Sequence, residues 1–145
     1  MKILMVCLGN ICRSPLAHGV MEHLVKQKGL NWKIDSAGTG SWHIGHQPDR
    51  RSIAVAKANG IDITNQRARQ FSSADFNDFD LILVMDKQNY RDVIAQAKTP
   101  VQEEKVKLFI PDGFVPDPYY NDEEFLPVFD MVYTQCEKLL QELSK

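Results

Sequence analysis

From Lys2 to Val6 the chain is apolar without alternation, and it then breaks into a polar, glycine-containing stretch that closes at Arg13-Ser14-Pro15. An unbroken apolar run of this length predicts a strand buried on both faces. Beyond it Leu16, Val20, Met21, Leu24 and Val25 recur at helical spacing as far as Gly29, with Ser14 as the expected N-cap and Pro15 as the first helical residue. Trp32 to Asp35 predicts a second strand, the glycine-rich segment Ser36 to Pro48 a functional loop, and the alanine-rich stretch Asp49 to Asn59 a helix stopped by Gly60. Leu81 to Met85 and Lys105 to Phe109 predict two further strands, with a helix over Lys87 to Ala97 between them. A proline-rich loop, Pro111 to Pro118, then leads to a last helix through Phe129, Val132, Tyr133, Cys136, Leu139, Leu140 and Leu143.

The order βαβαβαβα predicts an α/β fold: a single-domain three-layer sandwich over residues 1–145, with a four-stranded parallel sheet and helices on both faces. Ligands of such sheets gather outside the carboxyl ends of the strands. That edge holds the loop after Val6 and the loops beginning near Ser36, Asp86 and Ile110.

Composition narrows the classes of partner. A formal charge of −2 gives no electrostatic case for nucleic acid or an anionic membrane surface, so any anion site has to be local. No apolar stretch is long enough to span a membrane, and the first apolar run is too short for a signal peptide's core. The expectation is a cytoplasmic protein. Three cysteines, Cys7, Cys12 and Cys136, cannot pair evenly, which agrees with a reducing compartment and makes a free thiol a candidate for chemistry.

A loop between a buried strand and a helix N-terminus presents unpaired N–H groups and a partial positive charge, which together attract anions. Gly9 and Asn10 tolerate the backbone angles needed to turn successive N–H groups inward, and Arg13 adds a planar donor fork matched to phosphate oxygens. Such a site favours the thiolate form of a cysteine placed in it, here Cys7, and Ser14 is placed to hydrogen-bond that sulfur. Cys-x5-Arg alone is a weak signal. The apolar strand before it, Gly-Asn inside it and Ser-Pro after it make the combination specific. A nucleotide P-loop is excluded, because Gly-x4-Gly-Lys-Ser/Thr is absent.

The segment Val6-Cys-Leu-Gly-Asn-Ile-Cys-Arg-Ser-Pro15 resembles the signature loop of the low-molecular-weight protein tyrosine phosphatases. The resemblance continues through Asp35-Ser36-Ala37-Gly38, the Trp42 loop and Asp117-Pro118-Tyr119-Tyr120. It implies hydrolysis of phosphotyrosine in phosphorylated proteins through a phosphocysteine on Cys7. Arg13 and the backbone of Leu8, Gly9, Asn10, Ile11 and Cys12 would bind phosphate. Asp117, which the residues alone leave as one acid among many, becomes the general acid and base. Trp42, Tyr119 and Tyr120 are the implied walls of a deep aromatic slot, Asn10, Ser14 and Ser36 support the loop, and Cys12 is implied as a reversible disulfide partner of Cys7. No metal or other cofactor is expected, since Arg13 and the N–H groups already answer the phosphate charge. The expected state is a monomer.

Some residues stay open. Asp86 fits a plain helix N-cap or an active-site role. Cys136, amid apolar residues at helical spacing, reads as core. His18, His23, His43 and His46 show no ligand spacing. Four rival readings stand beside phosphotyrosine hydrolysis. Arsenate reduction needs resolving cysteines that Asp80 to Ala97 lack; phosphoarginine hydrolysis goes with threonine where this chain has Ile11. A non-catalytic phosphotyrosine-binding module could dispense with Cys7 and Asp117, and both are present. A redox-only thiol protein is disfavoured because Cys7 and Cys12 do not form Cys-x-x-Cys.

Overall fold

The computed structural model describes residues 1–145. Its four strands, β1 (Lys2–Cys7), β2 (Lys33–Gly38), β3 (Leu81–Val84) and β4 (Val106–Leu108), form one parallel sheet in the order β2-β1-β3-β4. The chain leaves β1 toward one side and then crosses over to the other, so the carboxyl end of β1 is the point where strand order reverses and a crevice opens. Cys7 sits there, level with Gly38 of β2.

Alternation along β1 divides the interior in two. Ile3, Met5 and Cys7 face a core shared with α1 (Arg13–Gln27), α2 (Arg50–Ala58) and α6 (Phe125–Leu143). Leu4 and Val6 face a smaller core with Phe71, Phe76, Phe79 and Val93, closed by α3 (Asp75–Asp78) and α4 (Lys87–Ile94). An apolar run is needed because both faces of β1 are covered. The last helix buries the stripe Phe125, Val128, Phe129, Val132, Cys136, Leu139 and Leu140. No helix is long and apolar enough to cross a membrane.

Three expectations are corrected. Helix α1 starts at Arg13 with Cys12 at the N-cap position, and no side chain caps it. Ser14 therefore lies inside the first turn, where its hydroxyl is engaged by Cys7 and Asn10 instead. Strand β2 runs on to Gly38, so Ser36 belongs to the sheet and the following loop begins at Thr39; the small residues Ser36, Ala37 and Gly38 continue the pairing with Met5, Val6 and Cys7. Two short helices, α3 and α5 (Pro100–Glu104), interrupt the simple alternation. Each is too short for hydrophobic periodicity to announce it, and α5 rests on local signals: the Thr99 hydroxyl accepts the Gln102 N–H, with proline entering the first turn.

Candidate active site

Neighbouring segments hold three carbonyls of residues 7–12 from outside. Cys7 O accepts the N–H of Thr39 at 2.9 Å, Leu8 O that of Gly40 at 2.8 Å and Ile11 O that of Asp49 at 2.7 Å. The N–H groups of Leu8, Gly9, Ile11 and Cys12 donate to no acceptor in the protein. Unpaired donors this close to a helix N-terminus form an anion cradle. Close approach by β2 helps hold its shape: a Cβ on Gly38 would stand 2.8 Å from Leu8 O and 3.1 Å from Asn10 N, which only glycine avoids. Asn10 takes the left-handed conformation, φ 55°, that turns the chain here. Its side chain donates to Ser14 Oγ at 2.8 Å and accepts the Arg69 N–H at 3.0 Å. Arg69 is held in turn by Asp35 at 3.1 Å and Asp75 at 3.0 Å.

At the base of the cradle Cys7 Sγ accepts the Asn10 N–H at 3.3 Å and lies 3.0 Å from Ser14 Oγ. Both partners suit a sulfur anion. The Arg13 side chain is almost wholly buried; Nη1 donates to Asp86 Oδ2 at 2.7 Å and to Val115 O at 3.1 Å, and Nη2 lies 3.8 Å from Asp117 Oδ2. Neither Nε nor Nη2 hydrogen-bonds the protein, which leaves that edge of the fork for a ligand. Burial works against the guanidinium charge, but the charge of Cys7 and the carboxylates of Asp86 and Asp117 outweigh it and hold Arg13 above its ordinary range. Cys12 lies in the same cleft; burial first, then the charges of Asp49, Cys7 and Asp117, push its thiol well up.

Above the cradle is a cleft of about 380 Å³, whose walls bring Trp42, His43, Asp117, Tyr119 and Tyr120 to the loop residues Leu8, Gly9, Ile11 and Cys12. Trp42 is 67% exposed, and its ring lies directly over Gly40, where any Cβ would collide with it. Tyr119 and Tyr120 meet edge to face with centroids 5.0 Å apart. Asp117 Oδ1 accepts the Tyr119 N–H at 3.1 Å, which fixes the carboxylate relative to the ring two residues on.

Every loop and wall residue anticipated from the sequence converges here; Ser36 does not. Its hydroxyl bonds His18 Nδ1 at 2.9 Å, so it braces α1, while direct bracing of the loop comes from the backbone of Thr39, Gly40 and Asp49. Asp86 carries both roles left open: Oδ1 caps α4 through the Asn89 N–H at 2.8 Å and Oδ2 holds Arg13. Cys136 lies in the core. Sequence reasoning missed His43, Arg69 and Arg51. His43 was signalled only by standing next to Trp42, and the two arginines carried no motif.

Comparison with known proteins bears on family and fold. The family model for low molecular weight phosphotyrosine protein phosphatase matches residues 2–145. A relative from Synechocystis sp., named for low molecular weight protein-tyrosine-phosphatase activity, is 46% identical over 100% of this chain and 98% of its own. The crystal structure of a protein tyrosine phosphatase from Entamoeba histolytica superposes with a TM-score of 0.92 at 37% identity, covering 99% of this chain and 97% of that one. An arginine phosphatase from Drosophila superposes with a TM-score of 0.92 at 35% identity, covering 100% and 99%.

Proposed function

The chain belongs to the low molecular weight phosphotyrosine protein phosphatase family, and from that premise we propose a residue-level mechanism by which it hydrolyses phosphotyrosine in proteins. Cys7 is the nucleophile. Its thiolate attacks phosphorus in line, the S–P bond forms as the bond to the tyrosine oxygen breaks, and Asp117 gives its proton to the departing phenolate. Water then attacks phosphorus, the ionised Asp117 takes up its proton, and Cys7 leaves as thiolate beside Ser14. Arg13, through Nε and Nη2, and the N–H groups of Leu8, Gly9, Ile11 and Cys12 stabilise the equatorial oxygens throughout. The observation that carries this reading is the pairing of carbonyls held from outside with unpaired N–H groups around a sulfur.

Tyrosine is favoured over shorter phosphorylated side chains by the exposed ring of Trp42, which lines the same cleft as Tyr119 and Tyr120 and suits a flat aromatic group on a long stem. Ile11 keeps the cleft floor aliphatic, which favours an aryl ester over the polar guanidino group of phosphoarginine. Cys12 is a disulfide partner for Cys7 after oxidation: a sulfenic acid on Cys7 condenses with the Cys12 thiol to give S–S and water. We place the enzyme in the cytoplasm, in keeping with three unpaired cysteines, and take a single chain as the working unit because every residue of the proposed mechanism lies in it.

Turnover of phosphotyrosine in the presence of chelator tests the assignment. Cys7→Ser is expected to abolish it, and a variant that keeps full activity would end the proposal. Asp117→Asn is expected to lower kcat by roughly 10²-fold or more, the usual contribution of a general acid, with little change in inhibition by inorganic phosphate. Equal losses in both would remove Asp117 from the acid role.

A further inference from the structure

The structure assigns to Arg51, a residue of α2 outside the cleft, a positioning role: it fixes the segment bearing Asp117 against the loop bearing Cys7. We infer this from a continuous run of contacts, and it rests on the mechanism proposed above. At one end the Asp49 N–H donates to Ile11 O of the phosphate loop at 2.7 Å. The Asp49 carboxylate holds Arg51 by a two-pronged pair, Oδ1 to Nε at 3.0 Å and Oδ2 to Nη2 at 2.9 Å, while Oδ1 also accepts the Arg51 N–H at 2.8 Å. At the other end Nη1 of Arg51 meets Asp122 at 2.6 Å. The flat face of the guanidinium lies 5.5 Å from the centroid of Tyr119 and 4.4 Å from that of Phe125.

These contacts hold the acid segment at Tyr119, Asp122 and Phe125. Tyr119 passes the constraint to Asp117 through the hydrogen bond from its N–H. A planar, always-charged group suits the place, because Nε and Nη2 pair with one carboxylate and Nη1 with a second while the same cation lies over two rings. Arg51 touches no reacting atom, so its effect is on where the proton donor stands.

The test compares Arg51→Gln with wild type on two aryl phosphates. Phosphotyrosine needs a proton on its leaving oxygen; p-nitrophenyl phosphate, whose leaving group is already a stable anion, needs it far less. The quantity kcat/KM reports transfer to Cys7 for both. Loss of positioning is expected to lower it roughly tenfold for phosphotyrosine and by no more than about twofold for p-nitrophenyl phosphate, a part of the 10²–10⁴-fold that general acids supply. Arg51→Lys, which keeps the charge and loses the stacking face, is expected to lie between. An equal fall on both substrates, or none on either, overturns the proposal. Hydrogen exchange gives a readout independent of activity: amides of residues 119–124 are expected to exchange faster in Arg51→Gln while those of α1 do not change, and unchanged exchange at 119–124 overturns the role. Should Arg51→Gln fail to fold, Asp122→Asn removes one contact only and is expected to show the same substrate split at smaller size. A wild-type protein inactive on phosphotyrosine would defeat the phosphatase mechanism, and hydrogen exchange would then decide Arg51 alone.

Discussion

Asn10 sits in the left-handed region, bonds Ser14 and Arg69 through its side chain and gives its own N–H to the Cys7 sulfur, so one residue sets the turn and part of the nucleophile's environment. Its turn was legible from residue type and its bracing role from the resemblance, while the bond to Arg69, 59 positions away, left no local signal. Asp86 was left open between a cap and an active-site role, since the partner that decides the second, Arg13, is 73 positions away. The same locality sets the limits for Cys12. Its thiol is pushed up by burial and by neighbouring charges, so it stays protonated near neutrality and its thiolate fraction grows about tenfold per pH unit. If it closes a disulfide on oxidised Cys7, closure has to speed up with pH. After a short peroxide pulse, the share of activity recovered by dithiothreitol is expected to be larger at pH 8 than at pH 6, and the difference to vanish in Cys12→Ser. A recovered share independent of pH in the wild type would argue against Cys12 as the partner.

At the scale of elements, the strands and long helices were readable because burial on one or both faces leaves a period. The end of β2 was not. Ser36, Ala37 and Gly38 read as loop by composition but pair with Met5, Val6 and Cys7 as strand, and at Gly38 the approach of the phosphate loop leaves no room for a side chain. Helix α2 shows how an element's start is used twice. Asp49 caps it and also grips Arg51, and bonds from Arg51 hold the Asp49 carboxyl below its ordinary value of 3.8 despite partial burial. A carboxyl depressed in the folded state stabilises fully above the unfolded value, and that stability is lost as pH falls through the folded one. The thermal midpoint of Asp49→Asn is therefore expected to lie below wild type at pH 5, with the gap narrowing as pH is taken below about 3.8. A gap that stays constant from pH 5 to pH 3 would mean that the ionised carboxylate contributes nothing.

Across the whole molecule, the two cores are joined because β1 and β3 contribute side chains to both. Damage far from the cleft has to be felt there. Phe76 is fully buried and meets Phe71 edge to face at 5.4 Å on the sheet face opposite α1. Phe76→Ala is expected to destabilise by roughly 3–5 kcal/mol, the usual cost of emptying such a site, and activity and far-ultraviolet dichroism are expected to be lost at one shared denaturant midpoint. Separate midpoints would show the two halves melting independently. The arrangement of the sheet also bears on how the chain acquires its chemistry. The strand and loop that carry Cys7 span few residues, yet the Lys2 N–H donates to Asp80, 78 positions on, and the Cys136 thiol of α6 donates to Ala17, 119 positions back. Contacts so distant in sequence close late and slowly. The Cys7 loop is thus local in sequence but long-range in its support, and on refolding from denaturant turnover is expected to return with the docking of α6 on α1 and not before.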